Sequence, residues 1–297
     1  MRLKNAIFMH NSIKREHLKG YLFIFPALAL LFALVGYPLI YNLVSSFFRS
    51  SFGAYDFVGF RNYKDAFTSP GFTDVIVNSL IWTFGNMAVM MLLGFLSAVA
   101  LDRELHGKTV IQVVLLIPWV VPFVVSGVTW MFLYHPRWGV VNDILIRLGL
   151  MKERIAWLSE SNLALGSVMI AYIWKVYPYV MILLLAGLKS IPETLYDAAE
   201  IDGANGLMKL WHVTIPQLSG IIRTVVLIVG IWTFNSFDVI YVMTGGGPIY
   251  TTETIAMRIY KFGFKEFRLE VASATAVIAS IILVLCSILY LRERKED

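Results

Sequence analysis

Four stretches of this chain run without a single Asp, Glu, Lys or Arg: Tyr21 to Phe48, Val75 to Leu101, Thr109 to Pro136 and Val271 to Leu291. No other feature restricts the fold as much. About 20 apolar residues in a helix cross the roughly 30 Å hydrocarbon core of a bilayer, and every one of these stretches reaches that length. A helix on the surface of a soluble core would carry polar residues at a 3.6-residue period instead. Lipid offers no partners to open backbone groups, so each stretch must close its own hydrogen bonds as a helix. Composition agrees: 58% of residues are hydrophobic and 15% charged, against about 45–50% and about 25% in soluble domains.

The pattern predicts an all-α integral membrane protein with six spans, at 22–46, 76–100, 110–134, 163–187, 221–243 and 271–291. They form one domain over 21–291, between an N-terminal tail (1–20) and a C-terminal tail (292–297). The first apolar stretch is too long for the roughly 7–15-residue core of a signal peptide and no small-x-small site follows it, so it is expected to stay as a helix. Arg2, Lys4, Lys14, Arg15 and Lys19 against one acid, Glu16, in the first tail, and Arg292, Arg294 and Lys295 in the second, place both tails in the cytoplasm by the positive-inside rule. Segments 47–75, 135–162 and 244–270 then lie outside, and 101–109 and 188–220 inside. The outer segments also hold basic residues (Arg147, Lys152, Arg154, Lys261 and Lys265), so the orientation rests on the tails.

Several function classes are excluded or weakened. The net charge of +5 is scattered over tails and span ends rather than gathered in a stripe, which is a membrane pattern and not a nucleic-acid one. The five histidines, at 10, 17, 106, 135 and 212, have no ligand spacing, and no metal site is expected. The lone Cys286 lies in the last span and forms no intrachain disulfide. No Walker motif or catalytic cluster is present, so the chain is expected to be neither an ATPase nor another enzyme. A transporter driven by an ion gradient would want paired intramembrane acids, and Asp238 is the one acid deep in a span.

The inner segment 188–220 is the most informative. Ser190 followed by Glu193 reads as a capping box, with Pro192 in the first helical turn, and predicts a short helix through Ile201. Ile191, Leu195, Ala198 and Ala199 would line one apolar face, and Glu193, Asp197 and Glu200 a polar one. Gly203 is placed to end that helix in the left-handed conformation. A second short helix would carry Leu207, Leu210 and Trp211 on one side and Lys209 and His212 on another; Thr214 and Gln217 read as a second box, opening span five. From these residues alone two readings stand open: an interfacial linker, or a helix–glycine–helix docking element.

The run Asp197, Ala198, Ala199, Glu200, Ile201, Asp202, Gly203 and Ala204, continuing to Leu210, Val213, Ile215 and Pro216, resembles the EAA loop of ABC importer permeases. Asp197 stands where the family has Glu and Leu210 where it has Phe, keeping charge and apolarity. Further motifs are similar to the carbohydrate-uptake branch, of the maltose/glycerol-phosphate type: Gly36-Tyr37-Pro38, the run Val58 to Tyr63, Ile117 to Pro122, Ile173 to Tyr179, and Phe237 to Pro248 with its Gly245-Gly246-Gly247 turn. The glycine run lacks the Lys-Ser/Thr of a phosphate-binding loop and is expected to be an external turn facing a binding protein.

The resemblance implies the type I importer fold and a set of partners. These are a second homologous permease, two ATPase subunits that bind ATP and Mg, an extracytoplasmic solute-binding protein, a carbohydrate solute and membrane lipid, in the cytoplasmic membrane of a prokaryote. It implies no cofactor in this chain. It makes Asp197, Ala198, Ala199, Glu200, Asp202, Gly203, Ala204, Leu210 and Pro216 the ATPase-coupling residues. Carried over by motif, the substrate path falls at Trp119 and Phe123 in span three, Tyr172 and Lys175 in span four, and Trp232, Asn235, Ser236 and Asp238 in span five. Lys175 and Asp238 are the two ionisable residues deep in spans, and an ion pair between them would offset part of their desolvation. The two prolines Pro118 and Pro122 predict a kink in span three at a cavity wall.

Overall fold

The computed structural model describes residues 21–51, 54–103 and 106–292, so the tail charges that set the expected orientation, other than Arg292, lie outside the described residues. Five helices are long and apolar enough to span a bilayer: α1 (Tyr21–Ser45), α3 (Phe72–Asp102), α7 (Ala164–Leu188), α9 (206–234) and α12 (Leu269–Arg292). The pair α4 (Lys108–Val120) and α5 (Phe123–Leu133), which meet at 96°, makes a sixth span when counted as one broken segment. Ahead of α3, β1 (Phe48–Ser51) and β2 (Ala54–Phe57) form an antiparallel ribbon followed by α2 (Arg61–Phe67). Short helices α6 (Val140–Arg147), α8 (Glu193–Ile201), α10 (Asp238–Met243) and α11 (Ile255–Tyr260) complete the chain.

The core is the contact of α3 with α7, flanked by α4 and α9. Small residues set it: a Cβ on Gly94 would lie 2.6 Å from Val180 Cγ1, so the two backbones approach as closely as glycine allows. Without a hydrophobic drive between helices in lipid, such close packing is what holds spans together. Trp82, Met90, Tyr172, Val180, Leu184 and Leu218 fill the centre. By contrast α1 buries no residue.

Both expected boxes of the inner segment are absent. Ser190 Oγ donates back to Gly187 O at 2.7 Å, and Pro192, in extended conformation, is the N-cap of α8. The residue before a proline is pushed out of the helical region, so the chain turns at Ile191 and the helix starts one residue after the proline. Thr214 opens nothing: Gly206–Lys209 passes through a π turn at Leu210–Thr214 into Ile215–Phe234 as one rod, with Pro216 in the first turn after the π segment. Thr214 is buried and its hydroxyl meets Tyr196 OH at 3.1 Å instead.

Span five covers the expected 221–243 but starts earlier, at Gly206, and is interrupted before Met243. Its helix ends at Phe234, Asn235 to Phe237 are not helical, and α10 follows. The outer segment 244–270 is more than a connecting loop. Thr252, Glu253 and Thr254 are buried. Asn78 Nδ2 on α3 donates to Tyr250 O at 2.7 Å, and Ile255 N donates to Ser79 Oγ at 2.8 Å. Glu253 sits between Arg258 and Lys261, and Arg258 Nη1 also donates to Pro70 O at 2.9 Å. The outer basic residues that blurred the charge pattern are thus partly engaged: Lys261 by Glu253, and Arg154 by Asp143 at 2.5 Å.

Candidate functional site: a cavity between two broken spans

Two helix breaks make the site. Span three breaks because Pro122 has no N–H and forces Val121 into the extended region (ψ 133°). Span five breaks at Asn235, whose side-chain amide turns back to Ile231 O at 2.9 Å. The outer pieces α5 and α10 then pack on each other, and Gly127 permits it: a Cβ there would meet Val242 at 2.9 Å. The expected kink at the two prolines is therefore a full break with a near-right-angle turn.

The breaks open onto a cavity of about 490 Å³ whose wall contains Trp119, Phe123, Tyr172, Lys175, Trp232, Asn235, Ser236 and Asp238, together with Val176 and Ile231. All eight residues named for the path from sequence lie around this one space. Tyr179 on α7, which supports two of these wall residues, was not among those named from sequence. It stacks on Trp119 (centroids 5.5 Å) and lies against Trp232 (5.0 Å), joining two helices into one aromatic row. Its signal was its place in the same Ile173–Tyr179 motif, four residues after Lys175 and so on the same helix face. A second row runs from Phe123 and Tyr172 on the cavity wall back to Trp82 in the core, anchored by Trp82 Nε1 donating to Thr233 O at 2.9 Å.

The expected ion pair between Lys175 and Asp238 does not form. Lys175, 3% exposed, points its ammonium at the broken end of α4, donating to Trp119 O at 3.0 Å, Pro118 O at 3.5 Å and Val121 O, and it lies 4.3 Å from the Phe123 ring centre. The reason is local. Pro118 O would normally accept from the N–H of residue 122, which is a proline, so the break leaves carbonyls without partners at the negative end of a helix dipole. A buried ammonium is the strongest donor available to them. Asp238 is exposed and is the first residue of α10.

The inner hairpin is joined mechanically to this cavity, since α9 runs from Gly206 to the break at Asn235. Gly203 takes φ +81°, with Gly203 N donating to Glu200 O at 3.0 Å and Ala204 N to Ala199 O at 2.9 Å, which is a Schellman end. Asn205 caps the next turn by accepting from Met208 N at 3.0 Å. Lys209 Nζ bonds Glu200 Oε2 at 2.6 Å, and that ammonium holds the Glu200 carboxyl below the usual carboxylate range. The expected apolar face of α8 is only partly covered: Ile191 is buried and Ala199 half-buried, while Leu195 and Ala198 are exposed. Tyr196 and Ala199 form the inward face. Asp197, Asp202 and Pro216 are exposed, and Ala204 and Leu210 half-buried.

A bundle with two spans broken around a polar and aromatic cavity, and with a rigid hairpin continuous with one wall, is a solute permease. Residues 90–292 match the family of binding-protein-dependent transport system inner membrane components, and the chain belongs to that family. It is a multi-pass membrane protein and a permease of an ABC importer. The chain is 32% identical to the sulfoquinovosyl glycerol transport system permease protein of Agrobacterium fabrum, over 93% of this chain and 90% of that one. It is 31% identical to the trehalose/maltose transport system permease protein of Thermococcus litoralis, over 94% of each. Its fold is that of a chain in the crystal structure of a bacterial alginate ABC transporter in complex with an alginate pentasaccharide-bound periplasmic protein, with TM-score 0.82, 20% identity and 94% of each chain covered.

Proposed function

We propose that this chain forms half of the translocation path for a sugar or sugar-derived solute, beside a second, related permease. An extracytoplasmic binding protein delivers the solute. Two separate ATPase subunits, which hold ATP and Mg, drive the pair through the coupling loop at 189–220. The observation that carries this reading is the cavity at the two helix breaks. Aromatic faces such as Trp119, Phe123 and Trp232 match the C–H surface of a pyranose, and Asn235, Ser236 and Asp238 match its hydroxyls. Relatives named for trehalose, maltose and a sulfoquinovosyl glycoside support a carbohydrate.

The hairpin supports the coupling role. Its exposed apolar side chains, Leu195, Ile201 and Leu207, leave a surface suited to a cleft on another protein. The unbroken rod from Gly206 to Phe234 carries a push on the hairpin to the cavity floor. A hairpin that meets an ATPase is cytoplasmic, which places both tails on that side and the Gly245–Pro248 turn outside, toward the binding protein.

The test is uptake into proteoliposomes holding the assembled complex. Uptake should require ATP inside and binding protein outside, and should fall at least tenfold in Trp119→Ala and Trp232→Ala. Uptake that survives ATP depletion but is abolished by an uncoupler would show a gradient-driven transporter and overturn the proposal.

A further inference from the structure

The cavity wall holds one cation and one anion, and the two are not equally available. Lys175 has three ammonium protons, and three carbonyl oxygens, those of Pro118, Trp119 and Val121, stand around it. The Phe123 ring closes a further side at 4.3 Å. Those carbonyls are the end of α4, where the helix dipole places roughly −0.5 of a charge. The lysine's donors are therefore engaged and its field partly offset before any solute arrives. A lysine in a sugar cavity would ordinarily point to an anionic solute; here its geometry assigns it to the helix end.

Asp238 is in the opposite state. It is exposed, lines the same cavity, and forms no ion pair among the described residues. Asn235 and Ser236 stand beside it on the same wall. A free carboxylate, an amide and a hydroxyl together suit the O–H donors of a polyol. A phosphate, sulfonate or uronate at that place would meet a like charge with no free cation among the described residues of the cavity wall to answer it.

We propose that the cavity half built by this chain selects uncharged, hydroxyl-bearing solutes and rejects anionic ones, with Asp238 as the specificity-determining residue. The proposal rests on the reading of this cavity as the solute path. A like charge a few ångströms away in a partly water-filled site lowers affinity by about ten- to a hundredfold.

The experiment is equilibrium binding to the complete permease–ATPase complex in nanodiscs, without binding protein. It uses matched pairs: glucose and glucuronate, glycerol and glycerol 3-phosphate, trehalose and trehalose 6-phosphate. In the best-bound pair the neutral member should bind at least tenfold tighter. Asp238→Asn, an isosteric change at an exposed position, should narrow that gap about tenfold, mainly by tightening the anion. Added salt should narrow it in the wild type and not in Asp238→Asn. Equal or tighter binding of the anion to the wild type overturns the proposal, as does a gap unmoved by Asp238→Asn. A selective loss of anion binding in Lys175→Gln does the same, because it would show the ammonium facing the solute. If no member of any pair binds, the reading of the cavity as the solute path fails, and the proposal with it.

Discussion

Lys175→Met removes the ammonium and keeps the length of the side chain, so it tests what the lysine does at the broken end of α4. The wild-type ammonium makes two firm bonds, to Trp119 O at 3.0 Å and to Val121 O, and a long one to Pro118 O at 3.5 Å. Leaving a buried acceptor without a donor costs about 1–3 kcal/mol, and the lower end applies to membrane interiors, where the loosened state also finds partners. Two firm bonds at about 1–2 kcal/mol each give about 2–4 kcal/mol, or roughly 30- to 1000-fold in the equilibrium that holds the break. Part of this is returned because a buried charge no longer has to be desolvated, so the observed effect should lie near 30-fold. The assay is amide exchange across 119–126, together with ATP-driven uptake. Exchange should speed by that factor in Lys175→Met and by much less in Lys175→Arg, which keeps a charged donor. Uptake should fall in parallel. Unchanged exchange in Lys175→Met, or equal effects of Met and Arg, would refute the argument that the ammonium caps the helix end.

Other perturbations probe other parts of the fold. Gly203 has open space around its missing Cβ but φ +81°, so Gly203→Val should strain the Schellman end by about 1–2 kcal/mol and uncouple ATP hydrolysis from uptake, while Gly203→Asn, tolerated in that conformation, should retain most coupling. Gly94→Leu would drive a side chain into Val180 and the backbone at Met181, costing about 1–3 kcal/mol and lowering the melting temperature of the purified complex. Glu253→Gln leaves Arg258 and Lys261 without their carboxylate in a buried cluster; about 3–5 kcal/mol should be lost locally, seen as faster exchange over 250–262. The Glu200 carboxyl is depressed by Lys209, so the pair's contribution is present above the ordinary carboxylate value of 4.5 and is lost as pH falls through the lower folded value. Exchange at 200–209 should therefore quicken below pH 4.5 in the wild type, and Glu200→Gln should be equally fast at neutral pH.

Much was legible in sequence because a bilayer makes local demands. Every span had to satisfy its own backbone, so length and apolarity located all six to within a few residues at most ends. The Gly203 stop was readable for the same kind of reason, since only one residue type adopts that backbone at little cost. The two capping boxes were misread. Ser190 and Thr214 carry the right side chains at the right spacing, but a cap needs free amides in front of it. At Ser190 the chain had not yet left α7, and at Thr214 the helix was already running.

Span five shows the limit from the other side. Pro118 and Pro122 announced the break in span three, because proline acts on its own backbone. Asn235, Ser236 and Phe237 hold no such residue, and the helix is interrupted there where α10 packs on α5. Lys175 and Asp238 were both marked from sequence as ionisable groups in an apolar setting, and opposite charge made a pair the natural expectation. That Lys175 turned to other partners depended on where unpaired carbonyls lay in space, fifty-odd residues away along the chain. The sequence by itself determined the six spans, the hairpin's place between spans four and five, and the cast of polar and aromatic residues, since these follow from transfer to lipid and from local backbone chemistry. Only the tertiary structure decided that α4 ends under Lys175, that Asp238 stays free, and that the hairpin and the cavity share one rod, since hydrogen-bond competition is settled by proximity and not by residue type.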